Sequence, residues 1–141
     1  MREVEVAFMD SNVLIYTQSL DEPRKKMVAL QLLDNHSKVC ISTQVLNEVS
    51  SVLIKKKTVP LYNVRSFINA LIEVCSVMPV TNDCILRAFD LMEIYGFSYY
   101  DSMILAAALK SRCTILYSED MSDGLLVEGQ LRIVNPFRLP S

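Results

Sequence analysis

Short apolar runs alternate along this chain with longer segments of helical periodicity. The runs are rich in β-branched residues and too short for helices, so they predict strands at residues 4–9, 39–41, 77–80, 113–117 and 131–134. The segments between them have apolar residues at three- and four-residue steps and predict helices at residues 24–35, 43–54, 60–75, 82–95 and 99–110. Strands joined by helices form parallel sheets with helices on both faces. We therefore predict an α/β fold, a single three-layer domain over residues 1–141 with a mostly parallel central sheet.

Charge and composition exclude several classes of protein. The net charge of -2, from 14 basic and 16 acidic residues, does not indicate a surface that binds polyanions throughout, so any contact with nucleic acid is expected to be local. No apolar run approaches the roughly 20 residues that span a bilayer. The first residues lack the features of a signal peptide. We expect a cytoplasmic protein without membrane contact, whose four cysteines, which occur singly, are buried reduced thiols.

Acidic residues follow two of the predicted strands. Asp10 comes directly after residues 4–9, and Asp120 follows residues 113–117. Alone, Asp10 would be read as a turn or helix-capping residue. Glu119, Asp120 and Asp123 crowd one turn, and at least one of them is expected to be an ordinary solvated loop acid. The carboxyl ends of parallel strands share one edge of the sheet, where ligands of such sheets bind. Two acids after two strands are therefore expected to converge, which capping does not require.

Two further acids lie on predicted helices. Glu48 occurs within an apolar stripe, where an unpaired carboxylate is costly, so a partner such as a metal ion is expected. Asp101 stands three residues after Ser98, a spacing that fits a capping box as well as it fits a metal ligand. If the fold gathers all these carboxylates, a hard divalent cation such as Mg²⁺ or Mn²⁺ is the ligand that they suit.

The usual parts of other active sites are missing from the sequence. His36 lies at a predicted helix end, where imidazole often serves only as a polar terminus. There is no Cys-His or Gly-x-Ser-x-Gly arrangement, which argues against a nucleophilic triad. The glycine-poor turns exclude a P-loop and a dinucleotide fingerprint.

Four short motifs, taken in order, resemble those of the PIN-domain nucleases, and within them the VapC-type toxin ribonucleases of type II toxin-antitoxin pairs. They are the strand that ends in residues 10–14, residues 42–49 with Glu48 as the acid, residues 98–104 around Asp101, and Ser118 with Asp120. The family often has an acid-aromatic pair at the end of the last loop, where this chain has Asp123 and Gly124. Asp123 then either assists Asp120 or is a turn residue.

The resemblance implies a Mg²⁺- or Mn²⁺-dependent endoribonuclease that hydrolyses phosphodiester bonds. In the mechanism that we expect, Asp10 and Asp101 are the principal metal ligands. Glu48 and Asp120 hold a second ion or orient water, and Asn12 and Ser118 fix the carboxylates. Oxygen ligands alone suit such cations.

The expected partners are RNA, a protein antitoxin and a second copy of the chain. Lys55, Lys56 and Lys57 are the best candidates for phosphate contact because they follow Glu48 on the same predicted helix, although such a run also suits a solvated helix end. Apolar residues on the helices after Pro23 and Pro60 are available for a homodimer or for a helix of the antitoxin, although core packing accounts for most of them.

Two other functions stay open at this point. A receiver domain or an aspartyl-phosphate hydrolase also has acids at strand ends. Against it, Ser11 and Asn12 stand beside Asp10 in place of a paired Asp, and no Lys follows a late strand. The other is a catalytically weak module that binds RNA or protein, and the presence of all four acids favours an active enzyme over it.

Overall fold

The computed structural model describes residues 5–138, which form an α/β fold. The strands are β1 (Ala7–Met9), β2 (Val39–Ser42), β3 (Ser76–Met78), β4 (Ile115–Tyr117), β5 (Leu126–Val127) and β6 (Leu131–Val134). The helices are α1 (Ser11–Tyr16), α2 (Pro23–Asn35), α3 (Thr43–Lys56), α4 (Leu61–Val74), α5 (Asn82–Tyr95) and α6 (Tyr99–Lys110).

The sheet has the strand order β3-β2-β1-β4-β6-β5, and every neighbouring pair except β5 and β6 is parallel. This confirms the predicted mostly parallel sheet. The chain winds from β1 outward to β2 and β3 on one side, then continues from β4 on the other side of β1. Such a reversal of strand order is a topological switch point, and ligands of open parallel sheets bind in the crevice beyond the strand ends there. In this fold the switch lies between β1 and β4.

Polar side chains fix where the helices around this crevice begin. The Ser42 hydroxyl accepts a hydrogen bond from the Val45 N-H at 3.2 Å and so caps α3. The Ser98 hydroxyl accepts one from the Asp101 N-H at 3.2 Å and caps α6. At the end of α5, Gly96 adopts φ +78°, a left-handed conformation that favours glycine and ends the helix.

The core lies between the sheet and the helices, which differ in whether one face or every face is buried. Helix α3 is amphipathic: in the predicted stripe, Val45, Leu46, Val49 and Leu53 are buried and Val52 is half-buried. Helix α6 is buried over all of residues 102–109, which explains why it is apolar on every side. The first turn of α6, with Asp101, is the part that reaches the crevice at the edge of the sheet.

Several strand boundaries differ from the predictions. The third strand was expected at residues 77–80 but ends at Met78, because Pro79 has no N-H to give to the sheet. The first and fourth strands are shorter than predicted and begin at Ala7 and Ile115; Val4, the predicted start of the first, lies outside the described residues. The hairpin from β5 to β6 was not predicted, because a two-residue strand is too short to show a pattern.

The structure also bears on the state of the cysteines and on helices that could span a membrane. All four cysteines are buried and unpaired, as predicted. From residue 5 to residue 138, no helix has the length and apolar character needed to cross a membrane.

Candidate active site

The centre of the site is Asp10, which follows β1 directly and begins α1. Strands β1 and β4 are neighbours, and the Asp10 N-H donates to the Tyr117 carbonyl at 3.0 Å, so the residues after the two strands lie side by side. The Ser118 hydroxyl donates to Asp10 Oδ2 at 2.8 Å, and the Ser11 N-H donates to Oδ1 at 2.7 Å. Asp10 therefore caps its helix, as the simpler interpretation proposed, and is also held from the adjacent strand.

Asp10 is a buried carboxylate without a cationic partner. Its exposed fraction is 4%, and none of the ion pairs of residues 5–138 involves it. Burial raises the pKa of Asp10 from 3.8 to about 6, against hydrogen bonds from Ser118 and Ser11 that lower it, and the negative charges of Glu48 and Asp101 raise it further. A group held in this way is destabilised in its charged form until a cation compensates for it.

Glu48 reaches the same crevice from the second turn of α3. The Ser11 hydroxyl lies 3.4 Å from its Oε2, and the Gln44 side-chain amide donates to its Oε1 at 3.3 Å. Partial burial raises the pKa of Glu48, and the charge of Asp101 adds to the rise. Because Ser11 also lies 3.3 Å from Asp10 Oδ1, its hydroxyl stands between the two carboxylates.

Asp101 lies in the first turn of α6. Burial raises its pKa against a hydrogen bond with the Ser98 side chain that lowers it, and the negative charge of Asp120 adds to the rise. The Ser98 cap forms, but the bond from the Ser98 N-H to the Asp101 carboxylate that would complete a capping box is not among the hydrogen bonds of residues 5–138. Ser98 therefore caps α6 as the capping interpretation proposed, and the role of Asp101 as a metal ligand stays a prediction.

Asp120 is the most exposed of the four acids and is held by α1. The Asn12 side-chain amide donates to Asp120 Oδ2 at 3.0 Å, and its carbonyl oxygen accepts from the Glu119 N-H at 3.3 Å. One side chain therefore fixes both the backbone and the carboxylate of the loop after β4. This is the contact that places Asp120 at the crevice.

Comparison with known proteins supplies the family. The family model of the PIN domain matches residues 7–122, a span that begins at β1 and includes all four carboxylates. This chain belongs to the PIN domain family. The predicted resemblance and the predicted three-layer fold are both confirmed. A comparison with curated protein sequences gave no match.

Solved structures share the fold of this PIN domain. A toxin-antitoxin complex from Klebsiella pneumoniae has a chain 22% identical, with a TM-score of 0.72 over 94% of this chain and 99% of that one. VapC20 of Mycobacterium tuberculosis, described as a sarcin-ricin loop cleaving toxin, is 20% identical, with a TM-score of 0.66 over 81% and 89%. VapBC2 of Rickettsia felis, bound to a promoter DNA fragment, is 15% identical, with a TM-score of 0.65 over 92% and 99%. At these identities the likeness establishes the fold.

The four acids of this PIN domain interact electrostatically, but their side chains do not meet. Glu48 and Asp101 each raise the pKa of Asp10, and Asp120 raises that of Asp101, so the fold does bring the predicted residues to one edge. In the described part of the chain, however, no three His, Cys, Asp or Glu side chains are close enough together to form a ready metal-ligand set. Like charges repel, and Glu48 is drawn toward Ser11 and Gln44. The donor set nevertheless fits a hard divalent cation, since it consists of carboxylates without a basic partner.

Asp123 does not join this group. Its Oδ1 accepts the Asn135 N-H at 2.8 Å, and its Oδ2 binds the Arg138 guanidinium at 2.7 Å. These two partners hold the pKa of Asp123 below its usual value. Of the two roles left open for Asp123, the geometry favours the structural one, because its carboxylate tethers the C-terminal segment of the described chain.

The lysine run lies at the far end of α3 from the cap at Ser42. Lys55 and Lys56 are in the last turn, and Lys57 ends the helix at φ +56°. All three are exposed, as both interpretations of the run require. The position agrees with stabilisation of the helix C-terminus, and contact with a substrate would require the substrate to extend along α3.

Sequence reasoning missed residues that support the site. Ser11 and Gln44 bind the carboxylates. The contact of Ser11 with Glu48 cannot be seen before the packing of α1 against α3 is known, whereas Gln44 and Glu48 are four residues apart on α3, a spacing that would have indicated their contact. A second missed feature braces the loop that carries Asp120. Glu119 accepts hydrogen bonds from Tyr16 and from Lys25, both at 2.6 Å, and so ties this loop to α1 and α2.

Proposed function

We propose that this PIN domain is a metal-dependent endoribonuclease that hydrolyses RNA phosphodiester bonds and acts as the toxin of a type II toxin-antitoxin pair. The observation that carries the proposal is the buried, unpaired carboxylate of Asp10 at the switch point, with three further acids around it. An arrangement that costs stability and lacks a cation of its own is typical of a metal-dependent active site. RNA as substrate is supported by the shared fold with VapC20, a toxin described as cleaving the sarcin-ricin loop.

Each acid has a role in this proposal. Asp10 and Asp101 hold Mg²⁺ or Mn²⁺, while Glu48 and Asp120 hold a second ion or orient the attacking water. Ser118 and Asn12 keep Asp10 and Asp120 in place through their hydrogen bonds of 2.8 and 3.0 Å. When bound, the metal would lower the pKa of the water that it binds and would neutralise the charge of the scissile phosphate.

RNA cleavage tests the proposal. The purified chain, incubated with a panel of RNAs, should cleave with Mg²⁺ or Mn²⁺ and should not cleave in EDTA. Asp10→Asn and Asp101→Asn should each abolish cleavage, since each removes a charged metal ligand while keeping its shape. Asp90, an exposed acid on α5, offers a matched control, and Asp90→Asn should cleave like the unchanged protein.

The same assay separates the rival functions. Binding of RNA or a partner without metal-dependent turnover would favour the catalytically weak module. The family match favours a nuclease over a receiver domain or an aspartyl-phosphate hydrolase. Phosphorylation of Asp10 by a small phosphodonor would contradict that choice.

An antitoxin and a second copy of the chain are the proposed protein partners, in a cytoplasmic setting. Chains of the same fold are found in toxin-antitoxin complexes. The helices predicted to carry partner contacts do expose large apolar side chains, among them Met27 on α2 and Leu61, Tyr62 and Val74 on α4. Light scattering of the purified chain, alone and with the product of the neighbouring gene, measures both assemblies, and a monomer under both conditions would contradict them.

A further inference from the structure

A shallow cavity of about 380 Å³, largely open to solvent, lies between α3 and the start of α6. It is lined by Gln44, Asn47, Glu48, Ser51 and Tyr100. Its volume lies within the range of about 300 to 1,000 Å³ that is typical of small-ligand sites. Because Glu48 belongs to the candidate active site, a group bound in this cavity would lie directly beside the reacting phosphate.

Tyr100 gives this cavity an aromatic wall. Its side chain is 60% exposed, although it stands next to Asp101 in the first turn of a well-capped helix. Its ring centroid lies 5.5 Å from that of Tyr99, which in turn lies 5.6 Å from that of Phe89. The Tyr99 ring is tilted by 59° against the Tyr100 ring, and the exposure of Tyr100 leaves most of its ring open to a ligand. An exposed ring of this kind is a platform on which a base can stack.

The remaining lining indicates which part of a nucleotide fits. None of the five lining residues is cationic, and Glu48 is acidic, so a phosphate group would be repelled. The amides of Gln44 and Asn47 and the hydroxyl of Ser51 both donate and accept hydrogen bonds, as the edge of a base requires. The chemistry of the wall thus favours a neutral base over a phosphate.

Beyond the cavity, one face of α3 offers a path for a bound RNA strand. Gln44, Glu48, Ser51 and Lys55 follow one another at steps of three or four residues and share one face of the helix. From Gln44 to Lys55 this face is about 16 Å long, at about 1.5 Å per residue. Lys55 lies one turn beyond Ser51, which is where the phosphate after a bound base would need a cation.

We propose that this cavity binds one unstacked base of a single-stranded RNA, with the base on the Tyr100 ring and its edge against Gln44 and Asn47. The inference rests on the proposed ribonuclease function and adds a base-binding subsite to it. A base inside a duplex is covered by its neighbours and cannot reach the ring, so the site selects a single-stranded or looped region. The next phosphate binds Lys55.

Cleavage kinetics on a single-stranded RNA test the role of the ring. Tyr100→Ala should lower kcat/KM by roughly 5- to 150-fold, which is the range that stacking on an aromatic side chain supplies. Tyr100→Phe keeps the ring and should stay close to the unchanged protein. Ile94, an exposed large side chain on α5 that does not line this cavity, is the control, and Ile94→Ala should leave kcat/KM unchanged.

Binding measured without turnover separates this inference from the function on which it rests. In the Asp10→Asn variant, binding should quench the fluorescence of an RNA that carries 2-aminopurine, and adding Tyr100→Ala should remove this quenching.

The outcomes for the base site and for the nuclease are distinct. If the unchanged protein cleaves RNA but Tyr100→Ala neither slows cleavage nor removes the quenching, the proposed base site is wrong and the proposed nuclease function stands. If Tyr100→Ala disrupts only a complex with an antitoxin, the cavity binds protein and the inference is also wrong. If no metal restores cleavage while the quenching depends on Tyr100, the proposed function fails and the base site stands.

Discussion

Asp10→Asn should make the metal-free protein more stable at neutral pH. The pKa of Asp10 is about 6 in the folded protein, against 3.8 for the ordinary side chain. A shift of about 2 pH units corresponds to about 3 kcal/mol of destabilisation of the charged form. Asparagine removes this cost and retains an oxygen for the Ser11 N-H, but it loses the charge that strengthens the bond from Ser118. We therefore expect a net gain of about 1 to 3 kcal/mol at pH 7.5.

The stability of the metal-free protein should fall as the pH rises, because of Asp10. Because the folded pKa is raised, protonation of Asp10 favours the folded state; the resulting stability is complete below pH 3.8 and is lost as the pH rises through about 6. Between pH 7.5 and pH 5, the unchanged protein should gain about 1 kcal/mol from this group alone. Glu48 and Asp101, whose pKa values are also raised, add to the gain, and Asp10→Asn removes only the part due to Asp10.

Urea denaturation in EDTA, followed by circular dichroism at pH 5 and pH 7.5, measures both the stability gained by Asp10→Asn and the change of stability with pH. Asp90→Asn controls for the loss of an exposed acid. Addition of Mn²⁺ should stabilise the unchanged protein and leave Asp10→Asn nearly unaffected, since only the former retains the ligand. An Asp10→Asn protein that is less stable at pH 7.5 and keeps the full pH dependence would refute the reasoning.

Three further predictions concern neighbours of the site. Ser118→Ala, which removes the 2.8 Å bond to Asp10, should weaken Mn²⁺ binding by roughly 10- to 100-fold in a calorimetric titration, and unchanged affinity would contradict the assigned role. Glu119→Gln, which weakens the contact with Lys25, should cost less than about 1 kcal/mol in urea denaturation yet reduce kcat, because the active-site loop loses its anchor. Ser102→Ala should raise the unfolding free energy by about 1 kcal/mol, since its buried hydroxyl has no hydrogen-bond partner among the described residues, and a loss of stability would show that one exists.

The general architecture could be predicted from the sequence because local patterns encode it. Strands such as β1 are buried on both faces and appear as continuous apolar runs. The stripe of α3 and the serine cap of α6 are likewise local, so the elements that carry Glu48 and Asp101 were found. Strand ends were less predictable, because pairing with a neighbour decides where a strand stops. The two-residue strand β5 gave no periodic signal at all.

Contacts between different elements of the site could not be derived from local patterns, because they depend on which elements become neighbours; only the family resemblance implied that Asn12 and Ser118 hold the carboxylates. Nothing near Asp10 in the sequence shows that β4 lies beside β1, yet this pairing brings Ser118 to its carboxylate. The choice among the acids after β4 also depended on distant partners. Asp123 is bound by Arg138, and Glu119 by Lys25, which leaves Asp120 facing the crevice.

A crystal soaked in Mn²⁺ at pH 7.5, with anomalous scattering recorded for the metal, shows whether the four carboxylates bind a metal ion. We expect a manganese peak beyond the ends of β1 and β4, with oxygen ligands from Asp10 and Asp101 and with Glu48 and Asp120 turned toward it. A fully soaked crystal with no peak between these carboxylates, or with the metal bound elsewhere, would show that they do not form a metal site.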